Sequence, residues 1–224
     1  DAVEMIKLSS PFASDTDEDG LADSVDPKPL VHSGIDRTRL TEATVKRVND
    51  TPTIFMDNRS YYPMAYADPE PGYKPILKKL GDCGLILQLV QYSLPALDDL
   101  KTSFTELDVR IEKVLSAIPD GKVIIRVSGM SDNGYSDFYK RYPGDICYFY
   151  EKDPVFKGHR PVYSFASDAW KNYISLALIR LVNHLRLASY GDKVAGIQLC
   201  MGETLEWWWW ASPEINKRSI DHSN

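Results

Sequence analysis

The sequence predicts an α/β fold built around a parallel sheet, and three observations predict it. Two apolar runs, LILQLVQYSL (85–94) and KVAGIQLCMGE (193–203), lack the alternation of a half-exposed strand and read as strands buried on both faces. Segments with a period of 3.6 residues, FTELDVRIEKVLSAIPDG among them, fall between the strand-like runs. The resulting order is strand, helix, strand, helix, strand, helix, strand, which argues for parallel pairing through right-handed crossovers. A short acidic stretch near the amino terminus fits neither pattern and reads as an irregular appendage.

That appendage comes first in the chain. Residues 15–26 read DTDEDGLADSVD. Counting Asp15 as the first position, acids stand at the first, third, fifth, ninth and twelfth places: Asp15, Asp17, Asp19, Asp23 and Asp26. Gly20 follows the third acid, and the seventh place, where a backbone carbonyl is the ligand, is Leu21. A hard cation takes about six to eight oxygens, and a wrapping loop supplies them from alternate residues. Gly20 gives the sharp turn that a side chain would obstruct. The residues therefore predict a structural Ca2+ site. Paired flanking helices are not expected, because Pro27 and Pro29 interrupt the following segment. The loop resembles a thrombospondin type-3 repeat and, more distantly, a dockerin repeat. Both bind calcium outside the cell, so the resemblance implies a secreted or cell-surface protein. A dockerin needs a second copy of the loop and one copy is present, which favours the thrombospondin-like reading. Residues 1–31 are expected to form this segment, and residues 32–224 the α/β domain.

From Thr53 onward the texture changes. TIFMDNRSYYPMAYAD predicts a hairpin turning near Asp57–Asn58, then a strand. GYKPILKKLGDCG predicts a short helix ending near Gly81 or Gly84. The strand at 85–94 follows. In the next helix Leu107, Ile111, Val114, Leu115 and Ile118 share one face, and Pro119 and Gly121 stop it. KVIIRVSG is the next strand. Residues 130–164 read as a tyrosine-rich loop holding Tyr135, Tyr139, Tyr142, Tyr148 and Tyr150. A long helix over 167–188 carries Trp170, Ile174, Ala177, Leu181 and Leu185 as its buried stripe, and the strand at 193–203 closes the series. A doubly wound sheet and half of a barrel are both compatible with this order. No glycine-rich phosphate loop follows the first strand, which counts against nucleotide binding.

Composition sets outer limits. The chain has 224 residues and a formal net charge of −6. Six acids and no base lie between Asp15 and Asp26, so acids and bases balance elsewhere. No basic face for nucleic acid is expected. No apolar run approaches the roughly 18 residues of a membrane span. The three cysteines, Cys83, Cys147 and Cys200, are too scattered for a metal knuckle and too few for a disulfide scaffold. Cys200 reads as a small buried hydrophobe, while a Cys83–Cys147 bridge is left open. The first residue is Asp and not Met, which reads as a processed, trimmed or partial chain.

Reactive groups in parallel α/β folds collect at the carboxyl ends of strands. Here the last strand runs into MGETLEWWWW, with Glu203 and Glu206 beside Trp207 to Trp210. A carboxyl among indoles is partly desolvated, so its pKa rises and it can serve as a general acid. Four consecutive tryptophans cannot all enter one core, and exposed Trp faces suit sugar rings. Arg126 inside VIIRV points either to a barrel interior or to a polar strand end. Tyr66 and Asp68, at the end of the first strand, either line a pocket or lie on the loop surface. His184, on the long helix, reads as a surface or satisfied residue.

The segment YSFASDAWKNYISLALIRLVNHLRLASYGDKVAGIQLCMGETLEWWWW (163–210) resembles the approach to the fourth strand of clan A glycoside hydrolases, nearest to the barrel of family 42 beta-galactosidases. TPTIFMDNRSYYPMAYAD (51–68) resembles that group's leading hairpin and first strand. The resemblance covers 52–224 and implies the N-terminal portion, about four strand–helix units, of a (β/α)8 TIM barrel. It implies a retaining glycosidase acting on an oligo- or polysaccharide, with Glu206 or Glu203 as acid/base and Trp207, Trp208, Tyr66 and Arg126 near the substrate. The family's fourth strand ends in Asn-Glu, whereas this chain has Gly202-Glu203 and Leu205-Glu206. Retention needs a second carboxylate about 5 Å away, which the family places on its seventh strand. A whole barrel takes about 250 residues and eight strands. The remaining C-terminal half is therefore an expected partner, and the chain alone is expected to be catalytically incomplete. The alternative is a non-catalytic, calcium-dependent glycan-binding or adhesion module.

Overall fold

The computed structural model describes residues 14–36, 41–61, 64–68, 74–94, 104–128, 141–151, 158–164 and 166–200. Their centre is a four-stranded sheet of β4 (Tyr66–Asp68), β5 (Leu87–Ser93), β6 (Lys122–Ser128) and β9 (Val194–Cys200). All three pairings are parallel, and the strands lie side by side in chain order with no reversal. The expected alternation of strands and helices is borne out. Helix α1 (Lys74–Asp82) joins β4 to β5, α2 (Thr105–Ala117) joins β5 to β6, and α3 (Asp168–Leu187) precedes β9.

One core lies between the sheet and the helices. Val90 of β5 and Val123, Ile125 and Val127 of β6 meet Leu77 of α1, Leu107, Ile111 and Val114 of α2, and Ala177, Leu181 and Leu185 of α3. Alternate strand residues point to opposite faces, so all three helices cover the same face. Of the expected stripes, Leu107, Ile111 and Val114 of α2, Ile118 just after it, and Trp170, Ala177, Leu181 and Leu185 of α3 are buried. Leu115 and Ile174 are partly buried, and α3 also buries Tyr173, Leu176 and Asn183. Helix α3 begins at Ser167, whose hydroxyl accepts the Trp170 N–H at 3.0 Å and donates to Asp145 Oδ2 at 2.8 Å. That cap satisfies one of the donors a helix start leaves open. Helix α2 ends at Ala117 with Ile118 as its cap, and in the turn just beyond it a side chain on Gly121 would press to 2.8 Å of the Ile118 carbonyl.

A second, antiparallel sheet holds β1 (Ala43–Val48), β2 (Thr51–Met56) and β3 (Arg59–Tyr61). The predicted hairpin turns at Asp57 and Asn58, both at positive φ. Strand β1 was not expected. It turns into β2 through Asn49 and Asp50, again both at positive φ, and Asn and Asp tolerate that conformation better than other side chains. The expected tyrosine-rich loop also needs correction, because it contains an antiparallel hairpin of β7 (Ile146–Glu151) and β8 (Gly158–Tyr163).

Asp57 also ties the two sheets together. Its Oδ2 accepts from the Lys122 ammonium at 2.7 Å, and Lys122 donates further to Thr41 Oγ1 at 2.9 Å and the Asp192 carbonyl at 2.6 Å. Lys122 opens β6, and Asp192 lies just before β9. The hairpin is therefore anchored at the amino-terminal ends of the parallel strands, opposite the ends that lead to Glu203 and Glu206.

Candidate functional site

Three of the five acids singled out by spacing converge in the acidic loop. Asp15, Asp17 and Asp19 each bring a carboxylate oxygen within 4.8 Å of the others. Gly20 adopts φ 94°, and its N–H donates to Asp15 Oδ2 at 3.0 Å. Asp17 Oδ1 accepts the Asp19 N–H at 3.3 Å, and Asp19 Oδ1 accepts the Leu21 N–H at 2.9 Å. The loop backbone thus fixes one oxygen of each acid.

Other oxygens of the group are left over. Asp15 Oδ1 and Asp17 Oδ2 are buried without a hydrogen-bond partner among the described residues. Asp17 is only 2% exposed, and burial, followed by the charge of Asp19, pushes its carboxyl up to about 6. Crowded, desolvated carboxylates repel one another, and a cation between them removes both costs. Asp19 is the opposite case, held below its usual value first by the Leu21 N–H. The three acids could hold a metal ion.

The outer positions of the loop divide. Asp26 is buried, and its Oδ1 accepts the Lys28 N–H at 2.7 Å. Asp23, expected as a ligand, turns both carboxylate oxygens to Thr16. Its Oδ1 accepts the Thr16 N–H at 2.8 Å and its Oδ2 accepts the Thr16 hydroxyl at 2.7 Å. The carboxylate therefore braces the loop from behind. Leu21 is exposed and engages Asp19 through its N–H.

The loop packs on α3 and is not free-standing. Glu18 Oε1 lies 2.9 Å from Arg180 Nη2. Farther along, a methyl group on Gly34 would stand 3.5 Å from Leu187 Cδ2. Leu176, Arg180, Asn183 and Leu187 recur at helical spacing and form a stripe beside the sheet-facing one.

At the sheet, Arg126 stands between Gln91 and Gln198 in register. It lies on the face opposite the helices, with its Nε buried and without a hydrogen-bond partner among the described residues. Tyr66 does not line that face. It pairs with Gln88 and packs against the helix-side core. Strand alternation alone leaves this choice of face open until the register is known. Glu203, Glu206, Trp207 and Trp208 lie outside the described residues. A cavity of about 320 Å³ opens between α3 and the start of β9, lined by Val182, Leu185, Val194 and Ile197 among others. It sits at the amino-terminal end of β9, away from the end where the glutamates follow.

One cluster escaped the sequence reading. Asp108 Oδ1 on α2 lies 2.7 Å from His184 Nε2 on α3 and also accepts the Tyr190 hydroxyl. Phe104 stacks on the His184 ring at 4.3 Å. Burial first, then the bond to Asp108, raises the Tyr190 phenol well above its ordinary value. His184 is thus a satisfied interhelical residue, as expected, but no spacing links it to a residue 76 positions away. Cys83 carries an exposed free thiol, so the bridge to Cys147 is not formed.

The chain matches no family model, no curated protein and no solved structure. No described helix is long and apolar enough to cross a membrane.

Proposed function

We propose that residues 32–224 are barrel-type strand–helix units of a retaining glycoside hydrolase, and that residues 15–26 bind a structural calcium ion. The observation that carries the barrel reading is the order β4-β5-β6-β9, parallel and without reversal, with the three described helices of those units on one face. A doubly wound sheet reverses its strand order and places helices on both faces, whereas a barrel keeps them all outside. The hairpin fastened below Lys122 supports the same reading, because it leaves the carboxyl ends of the strands for substrate.

In this reading Glu206 or Glu203 protonates the leaving-group oxygen and later takes a proton from water. A second carboxylate about 5 Å away attacks the anomeric carbon. Trp207 and Trp208 offer faces to the sugar rings, and Arg126 reaches into the lumen from the third strand. The calcium loop braces the domain and suits a protein exported to calcium-rich surroundings. The substrate is a carbohydrate, and the sugar and linkage are open.

The test uses the protein as its gene encodes it, with Glu203→Gln and Glu206→Gln combined. Hydrolysis of aryl β-glycosides is expected to fall at least about a thousandfold, with sugar binding retained. Unchanged turnover overturns the assignment. A second reading, a non-catalytic calcium-dependent glycan binder, draws on the acidic loop packed on the domain. It predicts sugar binding without turnover in the unmutated protein.

A further inference from the structure

We propose that the Glu18–Arg180 ion pair couples cation binding in the loop to the packing of α3, so that a calcium ion held by Asp15, Asp17 and Asp19 steadies the helix leading into β9. This rests on the calcium reading of the loop and extends it to a named contact inside the domain.

The coupling follows from the alternation of the loop. Asp17 and Asp19 turn toward the acidic group, and Glu18 between them turns outward to the helix. Glu18 adopts φ 61°, a left-handed conformation that a non-glycine residue takes at some cost. An ion that fixes its two neighbours fixes this backbone, and with it the carboxylate that Arg180 meets. The contact is asymmetric: the Glu18 side chain is 53% exposed, whereas that of Arg180 is 11% exposed. The helix end of the pair is therefore the more desolvated one.

The helix surface beneath the loop is also strained for partners. Asn183, three residues after Arg180, is 3% exposed, and neither atom of its amide has a hydrogen-bond partner among the described residues. Buried polar atoms of this kind weaken an interface. Packing here is accordingly open to reinforcement from the loop. Helix α3 passes through the turn at Gly191–Lys193 directly into β9, the strand that precedes Glu203. Cation binding would thus reach the sheet edge through one helix.

Linkage makes the coupling reciprocal: what the ion does for α3, α3 does for the ion. The two available explanations of the pair then predict opposite signs. If Arg180 were only a nearby positive charge, Arg180→Gln would raise calcium affinity. If it couples the sites, the same change lowers affinity by about tenfold.

The experiment is calcium titration by calorimetry, with amide hydrogen exchange read over residues 176–187, on the wild-type chain, Arg180→Gln and Glu18→Gln. In the wild type, calcium is expected to slow exchange in that segment by about tenfold. In both variants the slowing is lost, and Arg180→Gln binds calcium more weakly. Calcium binding with unchanged exchange in α3, or tighter binding by Arg180→Gln, overturns the coupling and leaves the cation site standing. Absence of calcium binding in the wild type overturns both. Glu18→Gln, in an exposed loop position, keeps the test open if the change at Arg180 impairs folding.

Discussion

Lys122 Nζ and Asp57 Oδ2 meet at 2.7 Å and join two sheets through residues 65 positions apart. The ammonium is largely buried and has two further acceptors, Thr41 Oγ1 and the Asp192 carbonyl. Lys122→Met removes the donor from Asp57 Oδ2 and Thr41 Oγ1 and leaves the Asp192 carbonyl with the Thr41 hydroxyl. We expect a loss of about 2 kcal/mol in chemical denaturation, the range for hydrogen bonds to a charged group. An unchanged midpoint contradicts the anchoring role.

The same pair sets a pH dependence. The hydrogen bond from Lys122 holds the Asp57 carboxyl below the usual carboxylate range. A lowered folded-state value gives stability that is complete above the unfolded value, about pH 4, and disappears as pH falls through the folded one. The gap in thermal midpoint between wild type and Asp57→Asn should therefore stay level from about pH 8 to about pH 5 and narrow below about pH 4. A gap that widens on acidification reverses the sign and rejects the pairing.

Calcium binding should vanish when Asp15→Ala and Asp19→Ala are combined, because two of the three converging carboxylates are removed. Asp23→Asn should act differently. It keeps an oxygen for Thr16 but loses the charge, and calcium should still bind. Calorimetry distinguishes these outcomes, and calcium heat retained in the double variant refutes the ligand assignment.

Asp108→Ala should destabilise by about 1–3 kcal/mol, since Tyr190 and His184 lose a shared, partly buried acceptor. Asp82→Ala is the control. Its pair with Lys78 has side chains 63% and 69% exposed and is worth less than about 0.5 kcal/mol. Equal losses for the two variants would deny Asp108 its interhelical role.

Much of the fold was legible because local chemistry and tertiary demand agree. The stripe of α3 and the Asp57–Asn58 turn each follow from residues within a few positions of one another. Strand β1 was missed because its core-facing pattern is faint: five of its six residues are exposed. The β7–β8 hairpin was hidden by its aromatic, proline-containing sequence, which reads equally well as a packed loop. At the acidic loop, spacing identified the converging acids. It could not distinguish Asp23, whose carboxylate turns to Thr16, from a residue that faces an ion. The face occupied by Tyr66 and the Lys122–Asp57 contact depend on register and on long-range approach, which no local window contains.

The central claim is retaining hydrolysis of a glycosidic bond, and the first-formed sugar tests it most directly. Proton NMR of the protein as its gene encodes it, mixed with a panel of aryl β-glycosides, should show the β anomer appearing first and the α anomer growing in only by mutarotation. Release of the α anomer first, or no hydrolysis of any member of the panel, contradicts the account.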